Sequence, residues 1–519
     1  MPSPWFWLAV SVCLCAGSAI AADRPNIILI FSDDHAYQAI SAYGESRKLI
    51  QTPGIDRIAR GGMRFDRCLV PNSICGPSRA CVLTGKYSHR NGFYNNTNSR
   101  FDGSQVTFPK LLQAAGYQTA FIGKWHLGSD PTGFDHWHIL PGQGIYYNPE
   151  MIRDGQKVRH IGYVTDLISD FSLDWLRKRD RKKPFLLMTQ HKAPHREWAP
   201  ALRHLGHNGN RIYPEPETLF DDYAHRGIAV KDQDMTLEKT IVPLDMKLVP
   251  PPGMDAEQRK FWDAYYQPRN EKFREEKLTG SELVRWRYQR YMHDYLGCVK
   301  AVDEAVDHLL NYIDEDGLAE NTIVVYASDQ GFYLGEHGWF DKRWVFEESL
   351  RTPLLIRWPG VTRPGSISHQ ITSLLDLSET FLDAAGLPVD PEMQGRSLLP
   401  ILRGESPADW RKSFYYEYFE YPQPHQVMPH YGVVTDRYKL VRFYVPQEAG
   451  PAKPDYWELY DRQTDPQELQ NRYQDSQYQE VVKELHAELE RLRRQLKVPE
   501  QTPREAYGNL FQEPRKKNK

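Results

Sequence analysis

Three short apolar runs, each ending in a burst of polar residues, constrain the fold of this 519-residue chain most strongly. They cover residues 26–31, 184–188 and 322–326 and are rich in β-branched, leucine and aromatic residues. Continuous apolar runs of this length are typical of strands that are buried on both faces of a sheet. Because ligands of open α/β sheets lie beyond the carboxyl ends of the strands, we expect the three polar bursts to converge on one pocket.

Helical patterns alternate with these strands over residues 56–60, 107–115, 163–179 and 286–312. The alternation predicts an α/β fold in which a mostly parallel sheet is sandwiched by helices. Residues 200–275 break the pattern because they are rich in Pro, Asp, Lys and Arg, and we interpret them as a long surface insertion. Residues 23–400 are therefore predicted to form one main domain that carries this insertion.

The composition changes near residue 400. Segments 413–421, 430–436, 437–444 and 456–461 are aromatic and strand-like, and their short spacing predicts an antiparallel sheet. Apolar residues then recur at helical spacing from Tyr478 to Leu496, after a plausible N-cap at Asp475 or Ser476. Residues 401–519 are predicted to form a smaller C-terminal subdomain made of this sheet and one helix.

The N-terminus has the pattern of a secretory signal peptide. Residues 4–22 are apolar and uncharged, and they end in the small-residue pattern Ala19-Ile20-Ala21. The segment is short for a membrane anchor, and no other run approaches spanning length. We predict a signal peptide over residues 1–22, cleavage near Ala21 or Ala22, and a secreted or periplasmic protein without stable membrane insertion. A net charge of −3 gives no global basic field that would indicate nucleic-acid binding.

Carboxylates follow two of the apolar runs. Asp33 and Asp34 come after the first run, and Asp329 with Gln330 comes after the third. An isolated Asp-Asp pair is most often a solvated turn. Two such clusters at equivalent strand ends indicate an oxygen-rich site for Ca²⁺ or Mg²⁺, since hard cations take carboxylate and amide oxygens.

Basic side chains are expected at the same edge of the sheet. Lys124 and His126 lie two residues apart between glycines, Lys192 and His195 follow the second run, and Lys342 follows the third cluster. Each one alone is most simply a surface lysine or a structural histidine. Together with a cation they describe a pocket for a tetrahedral anionic ester, either sulfate or phosphate.

Residues 73–85, SICGPSRACVLTG, leave the chemistry of Cys75 open. The residue could form a disulfide, bind a metal or act as a thiol nucleophile. A thiolate close to Arg79 would have a lowered pKa and be nucleophilic. A thiolate is nevertheless a poor partner for a hard cation with oxygen ligands, so the residues alone do not decide between these readings.

Residues 75–85, CGPSRACVLTG, resemble the type I sulfatase signature C-x-P-S-R-x-x-x-L-T-G at every defined position. Residues 116–128, GYQTAFIGKWHLG, resemble the second signature of that family, and the Asp-Asp pair, the Pro-His pair and the block 328–342 follow in the expected order. The chain is thereby identified as a member of the formylglycine-dependent sulfatases. The resemblance runs from about residue 24 to the C-terminal helix and implies an alkaline-phosphatase-like fold.

The resemblance implies that a formylglycine-generating enzyme oxidises Cys75 to Cα-formylglycine after translation. The hydrated aldehyde, a gem-diol, is an oxygen nucleophile and an oxygen ligand. Ca²⁺ would then be held by Asp33, Asp34, Asp329, Gln330 and the diol at residue 75. Gln330 departs from the family pattern, in which this position is usually Asn or His.

The same resemblance implies roles for the basic residues. His195 would protonate the departing alcohol, and His126 would deprotonate the second hydroxyl of the diol so that sulfate leaves. Arg79 and Lys124 would orient the diol and offset its charge. Lys342 would contact the sulfate oxygens.

Blocks 328–355, 226–267 and 431–461 look similar to secreted bacterial sulfatases of the N-acetylglucosamine-6-sulfatase-like or mucin-desulfating group. This similarity implies a sulfuric ester hydrolase that acts on a sulfated carbohydrate, with 6-O-sulfated N-acetylglucosamine or a related sugar as the expected substrate. Lys192, His425 and His430 are candidate substrate contacts. For His425 and His430, surface histidines on a loop are an equally good interpretation.

Two alternatives stay open at this point. A phosphonate or phosphate monoester hydrolase would share the superfamily fold, and some such enzymes use formylglycine. A non-catalytic glycan-binding relative would share much of the sequence. The complete set of candidate catalytic residues argues against a binding module, because such a module does not need a nucleophile.

Overall fold

The computed structural model describes residues 24–446, 448 and 455–511. The predicted signal peptide over residues 1–22 lies outside this part of the chain. Among the described residues, no helix is both long enough and apolar enough to cross a membrane.

A large mixed sheet forms the centre of the molecule. Its strands, in chain order, are β1 (Asn26–Ser32), β2 (Met63–Leu69), β3 (Gln118–Lys124), β4 (His136–Leu140), β5 (Glu150–Arg153), β6 (Gln156–Arg159), β7 (Phe185–Gln190), β8 (Thr322–Ser328), β9 (Arg351–Arg357), β10 (Ser366–Ser368) and β11 (Thr372–Ser373). The spatial order is β10-β2-β9-β8-β1-β7-β3-β4-β5-β6, and β11 also pairs with β2. The strands from β8 to β4 in this order are parallel, whereas β9, β5 and β6 pair antiparallel with their neighbours. The predicted mostly parallel sheet is confirmed.

The three apolar runs are neighbours in this sheet. They form β1, β7 and β8, and β1 lies between the other two with a parallel register on both sides. Ser32 at the end of β1 is paired with Ser328 at the end of β8, and Phe31 is paired with Gln190 at the end of β7. Their polar extensions therefore leave the sheet at one edge.

Helices cover both faces of the sheet. The helices before residue 400 are α1 (Pro53–Gly61), α2 (Cys75–Thr84), α3 (Ser88–Asn91), α4 (Phe108–Ala114), α5 (Val164–Lys178), α6 (Ile228–Asp232), α7 (Ala256–Glu276), α8 (Gly280–Glu315), α9 (Glu347–Leu350), α10 (Asp376–Ala384) and α11 (Leu399–Leu402). Strand β1 shows why both faces are apolar. Ile28 and Ile30 pack in the core with α1, α5 and α8, whereas Ile27 and Leu29 pack in the core with α4 and α10.

The predicted insertion is more regular than the sequence indicates. Residues 243–255 lack helix and strand, as expected for a proline-rich segment, but they lead into the 21-residue helix α7. Asp255 begins this helix with a capping box that it shares with Gln258, and Trp262 and Tyr266 bury its inner face. Pro268 inside the helix and a high charge content masked this helix in the sequence.

The C-terminal segment forms a second, separate sheet. Its strands β12 (Ser413–Tyr418), β13 (His430–Thr435), β14 (Tyr438–Phe443) and β15 (Tyr456–Asp461) are antiparallel in chain order. Helix α12 (Gln479–Gln495) packs on this sheet through Leu485, Leu489 and Leu492. The antiparallel sheet and the terminal helix were both predicted, while the limits of the two domains at residues 400 and 401 stay a prediction.

A buried ion network ties the two sheets together. Lys439 on β14 is fully buried, and its Nζ lies 3.1 Å from Oε2 of Glu347 and 2.7 Å from Oε1 of Glu468. Nε of Arg462 lies 3.1 Å from the same Glu347 oxygen. We call these four residues the Lys439 network. Glu347 meets Lys439 and Arg462 across the junction, while Glu468 pairs with Lys439 within the C-terminal segment.

Candidate active site

Three carboxylates converge at the shared edge of β1 and β8. Asp33, Asp34 and Asp329 are buried, and one oxygen of each lies within 4.8 Å of the others. We call them the carboxylate cluster. Burial raises the pKa of Asp34 to about 6, and burial together with the charge of Asp33 raises the pKa of Asp329 well above its ordinary value. Three carboxyl groups this close repel each other when ionised, which is an arrangement that a bound cation stabilises.

Two oxygen atoms at the cluster have no hydrogen-bond partner among the described residues. They are Oδ1 of Asp33 and Oε1 of Gln330. The Gln330 amide donates to Oδ1 of Asp34 at 2.5 Å, which fixes the carboxamide beside the cluster. Buried polar atoms are rarely left unpaired. Unpaired oxygens next to three carboxylates are the donor set of a hard divalent cation, so the residues present fit such an ion.

Three cations hold the carboxylate cluster from outside. Nζ of Lys124 donates to Oδ2 of Asp33, and Lys342 lies with its Nζ 2.7 Å from Oδ1 of Asp34. Nη2 of Arg79 lies 3.0 Å from Oδ2 of Asp329. Burial alone would raise the pKa of Asp33, but the charges around it, Lys124 first, hold that pKa well below its ordinary value.

Cys75 is the first residue of α2, and all ten residues of this helix are buried. Its Sγ lies within 4.8 Å of an oxygen of Asp33 and a nitrogen of His195. Burial raises the pKa of the thiol well above its ordinary value, and the charge of Asp33 adds to this effect. The described cysteines Cys68, Cys75, Cys81 and Cys298 are free. The unmodified thiol is therefore neutral at this position, contrary to the reactive thiolate that its proximity to Arg79 suggested.

Arg79 is fully engaged by its neighbours. Its Nε and Nη2 donate to Oδ2 of Asp329, and its Nη1 donates to the Lys124 carbonyl oxygen at 2.9 Å and to Oε1 of Gln190 at 3.0 Å. The guanidinium lies four residues, about one helical turn, after Cys75 on α2. This geometry fixes one positive charge beneath residue 75.

The hydrogen bonds of His195 define its tautomer. Its Nδ1 lies 2.5 Å from the Arg196 carbonyl oxygen, which can only accept, so Nδ1 carries the proton. Its Nε2 then faces the pocket, 3.8 Å from Oδ2 of Asp34. Burial lowers the pKa of His195 well below its ordinary value, and the charges of Lys124 and Lys342 lower it further.

His126 and Lys192 complete the polar wall. Nδ1 of His126 is buried without a partner in the described structure, and burial and the Lys124 charge lower its pKa well below the ordinary value. Nζ of Lys192 lies 4.7 Å from the centre of the Tyr146 ring and 3.4 Å from the Arg196 carbonyl oxygen. Burial lowers the pKa of Lys192. Lys192 and His195 thus both contact the Arg196 carbonyl oxygen, and the contact of Lys192 with substrate stays a prediction.

Four residues around this pocket have an unusual backbone conformation. Asp34, His126, Asp341 and Arg343 all have positive φ values, between 56° and 86°. Residues other than glycine adopt this region at a cost of about 1–2 kcal/mol each. Such residues cluster at functional sites, where the surrounding structure holds them in place.

The two candidate histidines of the C-terminal subdomain have different surroundings. His425 reaches the pocket: its Nε2 lies 3.1 Å from Oδ2 of Asp341, the residue next to Lys342, and its Nδ1 lies 3.2 Å from Asp234 in the insertion. His430 does not point into a polar pocket. It begins β13 and is enclosed by aromatic rings, including Trp344 and Tyr416, and burial lowers its pKa to about 3. Its surroundings are those of a core histidine, which corrects the expectation of a sugar contact.

Sequence reasoning missed three polar neighbours of the site. Gln143 accepts a hydrogen bond from Nζ of Lys124, Gln190 accepts one from Arg79, and Asp341 lies 3.3 Å from Nζ of Lys342. Two of these residues could have been found from the sequence. Asp341 stands directly before the candidate residue Lys342, and Gln190 ends an apolar strand at the predicted edge of the site. Gln143 lies in an exposed loop between Gly142 and Gly144, and nothing in that segment distinguishes it from an ordinary turn.

Comparisons with known proteins agree with this geometry. A sulfatase family model matches residues 25–387, and a model described as N-sulphoglucosamine sulphohydrolase, C-terminal, matches residues 335–495. The chain belongs to the sulfatase family. It is therefore a sulfuric ester hydrolase, and the family implies a formylglycine residue, normally with a divalent metal.

Individual sulfatases are similar over most of the chain. An N-acetylglucosamine-6-O-sulfatase of Bacteroides thetaiotaomicron is 49% identical over 511 residues, which cover 94% of this chain and 90% of that protein. The human N-acetylglucosamine-6-sulfatase is 29% identical over 78% of this chain and 68% of its own length. A solved structure of a protein in complex with its substrate D-glucosamine-2-N,6-O-disulfate is 49% identical, has a TM-score of 0.88, and is matched over 92% of this chain and 99% of that chain.

The alternative of a phosphonate monoester hydrolase is not favoured. Such an enzyme from Agrobacterium radiobacter has a TM-score of 0.69, but its sequence identity is 20%. A likeness at that level shows the shared alkaline-phosphatase-like fold alone.

Proposed function

We propose that this sulfatase removes the 6-O-sulfate group from N-acetylglucosamine, or from a related glucosamine, in a sulfated glycan. The observation that carries the proposal is the 49% identity, over nearly the whole chain, to an N-acetylglucosamine-6-O-sulfatase. The pocket supports it, because it combines a candidate cation site with Lys124, Lys342 and two histidines around residue 75.

We propose that Asp33, Asp34, Asp329 and Gln330 hold Ca²⁺ together with residue 75. The three carboxylates and the unpaired Gln330 oxygen are hard oxygen donors. A bound divalent cation would neutralise the cluster and polarise a sulfate oxygen. The formylglycine that the family forms at this cysteine would supply, once hydrated, an oxygen nucleophile directed at sulfur.

The residues of the chain would then orient and protonate the reactants. Arg79, held by Asp329 and Gln190, keeps a fixed positive charge beside residue 75, and Lys124 bridges this region to Asp33. Lys342 presents its ammonium group next to Asp34, where it would bind sulfate oxygens.

The two histidines would move protons. Because Nδ1 of His195 is held by a carbonyl, Nε2 is the atom that exchanges a proton with the departing alcohol oxygen. An anionic ester bound between Lys124 and Lys342 would offset the charges that lower the pKa of His195, and would thereby favour its protonated, acidic form. His126, kept neutral by burial, would act as the base that releases sulfate.

His425 and Lys192 are the proposed substrate contacts. His425 joins the C-terminal subdomain to Asp341 beside Lys342, and Lys192 extends the positive wall next to His195. We further propose maturation by a formylglycine-generating enzyme and secretion to the periplasm or the exterior. The apolar N-terminal segment with its Ala19-Ile20-Ala21 pattern supports the latter.

The test is a panel of sulfated monosaccharides with protein produced alongside a formylglycine-generating enzyme. Conversion of Cys75 is first verified by mass spectrometry of its peptide. We expect kcat/KM for 6-sulfated N-acetylglucosamine to exceed that for 3-sulfated N-acetylglucosamine by about 100-fold, because buried polar contacts reject a misplaced group strongly. Dominant turnover of an aryl phosphate over the matching aryl sulfate would contradict the assignment.

The metal assignment has its own measurement. EDTA treatment is expected to abolish turnover and lower Tm, and Ca²⁺ at 100 times its Kd is expected to restore about 2.7 kcal/mol of stability. The variant Asp329→Asn should lose this Ca²⁺-dependent rise in Tm. An unchanged rise in the variant would exclude Asp329 as a ligand.

A further inference from the structure

A second cleft lies outside the candidate active site. It has a volume of about 660 Å³ and runs between residues 391–412 and the C-terminal end of α12. Gln394 on its wall donates its backbone N–H to the Gly85 carbonyl oxygen, immediately after the end of α2. Because Cys75 starts this ten-residue helix, the cleft lies at the opposite end of α2, about 15 Å away along the axis.

Basic side chains dominate the lining of this cleft. Three acidic side chains are outnumbered by six basic ones, which are Arg90, Arg396, Arg411, Lys412, Arg491 and Lys497. An excess of two positive charges remains when the buried Asp376, which pairs with Arg411, is included. The whole chain carries a net charge of −3, so the cleft is positively charged although the chain as a whole is negative.

The floor of the cleft is a stacked and fixed arrangement. The guanidinium of Arg396 lies 4.7 Å from the Trp410 ring centre, and that of Arg411 lies 5.3 Å from it. Arg411 is further held by two hydrogen bonds to Asp376, at 2.5 and 2.6 Å, and Arg396 by two to Asp409, at 2.6 and 2.8 Å. A guanidinium has five N–H donors, so three on each arginine remain outside these bonds, and both charges are held in advance beside one indole for sulfate or carboxylate oxygens.

The rim of the cleft keeps cations available to a ligand. Lys412 is exposed and makes no ion pair or side-chain hydrogen bond within the described structure. Lys497 is 66% exposed, and its Nζ lies 3.6 Å from Glu392. Arg491 is 52% exposed and pairs with Glu488 on its own helix. Exposed pairs of this kind contribute about 0–1 kcal/mol, so an anionic ligand displaces them at little cost.

We propose that this cleft is a second binding site, separate from the catalytic pocket, for a sulfated segment of a glycan chain. The inference rests on the proposed function, since a sulfated glycan is the substrate class assigned there. A polysaccharide long enough to span the cleft and the pocket would stay at the enzyme after one sulfate is removed, because the second binding event is then intramolecular.

The binding test uses a heparin-derived hexasaccharide and the Cys75→Ala protein, which prevents turnover. The triple variant Lys412→Glu, Arg491→Glu, Lys497→Glu is expected to bind at least tenfold more weakly by calorimetry. The matched control reverses Lys157, Lys178 and Lys182, which are exposed lysines outside the cleft, and should bind as the parent does. Binding of the parent should also weaken from 0.1 to 1 M salt, as the Debye length falls from about 10 to about 3 Å.

Kinetics separate this inference from the proposed function. In the active enzyme, which retains Cys75, the triple variant should keep kcat/KM for 6-sulfated N-acetylglucosamine within twofold of the unaltered enzyme. Its KM for a 6-sulfated oligosaccharide should rise at least fivefold. Failure of the unaltered enzyme to turn over the monosaccharide would overturn the proposed function, and it leaves the binding test valid. Equal affinity of the triple variant and the control, or equal binding of a desulfated hexasaccharide, would overturn the second site.

If the triple variant does not fold, Lys412→Glu alone provides the test, because this side chain has no ion-pair or hydrogen-bond partner among the described residues. We expect it to bind the hexasaccharide about threefold more weakly, with an unchanged Tm. An unchanged affinity of this single variant would count against the cleft.

Discussion

The carboxylate cluster and the Lys439 network are both buried and both charged, yet they differ in how the charges are arranged. In the network, burial would raise the pKa of Glu347, but Arg462 and Lys439 outweigh it and hold that pKa well below its ordinary value. In the cluster, burial and neighbouring carboxylates raise the pKa of Asp34 and Asp329 despite Lys342 and Arg79. In the network each acid lies beside a cation, whereas in the cluster the acids face each other and still require positive charge. Burial of charge alone therefore does not mark a functional site.

The largest effect is expected when the side chain of residue 75, which lies beside the carboxylate cluster, is removed. Cys75→Ala should lower kcat by about 10⁵-fold, since removal of a nucleophile has effects of this order. The free energy of unfolding should change by about 1 kcal/mol or less, because only one buried sulfur atom is removed. Aryl sulfate turnover and chemical denaturation measure the two quantities.

The matched control for this variant is Cys81→Ala, on the same buried helix. It should keep nearly full turnover, because Cys81 faces Ser88 and Asn91 rather than the cluster. Comparable losses of turnover in the two variants would show that packing of α2, not chemistry at residue 75, limits activity.

An intermediate effect, on stability, is expected for a change in the Lys439 network. Lys439→Met should lower the free energy of unfolding by about 3–5 kcal/mol, because it leaves Glu347 and Glu468 buried with less compensation. Turnover per folded molecule should stay within twofold. Lys157→Met, at a lysine that is 71% exposed, is the control and should change stability by about 0.5 kcal/mol or less. If the Lys439 variant is as stable as the unaltered protein, the junction of the two sheets is stabilised by its apolar contacts alone.

The smallest expected effect tests the boundary of the cluster. Gln143→Ala removes one acceptor from Nζ of Lys124 and should lower kcat/KM about tenfold, the equivalent of one hydrogen bond to a charged group. The loss should fall mainly on kcat if Gln143 positions Lys124. Gln143→Glu keeps the acceptor oxygen and should lose less. Equal kcat/KM in Gln143→Ala and the unaltered enzyme would remove Gln143 from the site.

The sequence predicted the parts of this molecule that depend on local pattern. The runs that became β1, β7 and β8 were evident because strands buried on both faces must be continuously apolar, and their polar ends were evident because they interrupt that pattern. Topology then brought Asp33, His195 and Asp329 together without further information. The identity of residue 75 as more than a thiol came only from the resemblance to the sulfatase signature.

The remaining features depend on tertiary contacts. His425 and His430 lie five residues apart and looked equivalent, but one meets Asp341 and the other packs among aromatic rings. Gln143 became part of the site because the end of β3 lies beside the end of β4, which brings Lys124 within its reach. Helix α7 was missed because Pro268 and its many charges weaken the pattern, while tertiary packing of Trp262 and Tyr266 stabilises it.

The complete burial of α2 has a consequence for the order of events in the life of the chain. Cys75 is fully buried once α2 has packed. If the formylglycine at this position is made by a second protein, as proposed above, we expect that protein to act before α2 packs against the main sheet. A chain that folded with an intact thiol would then have to unfold around residues 75–85 before it could be converted.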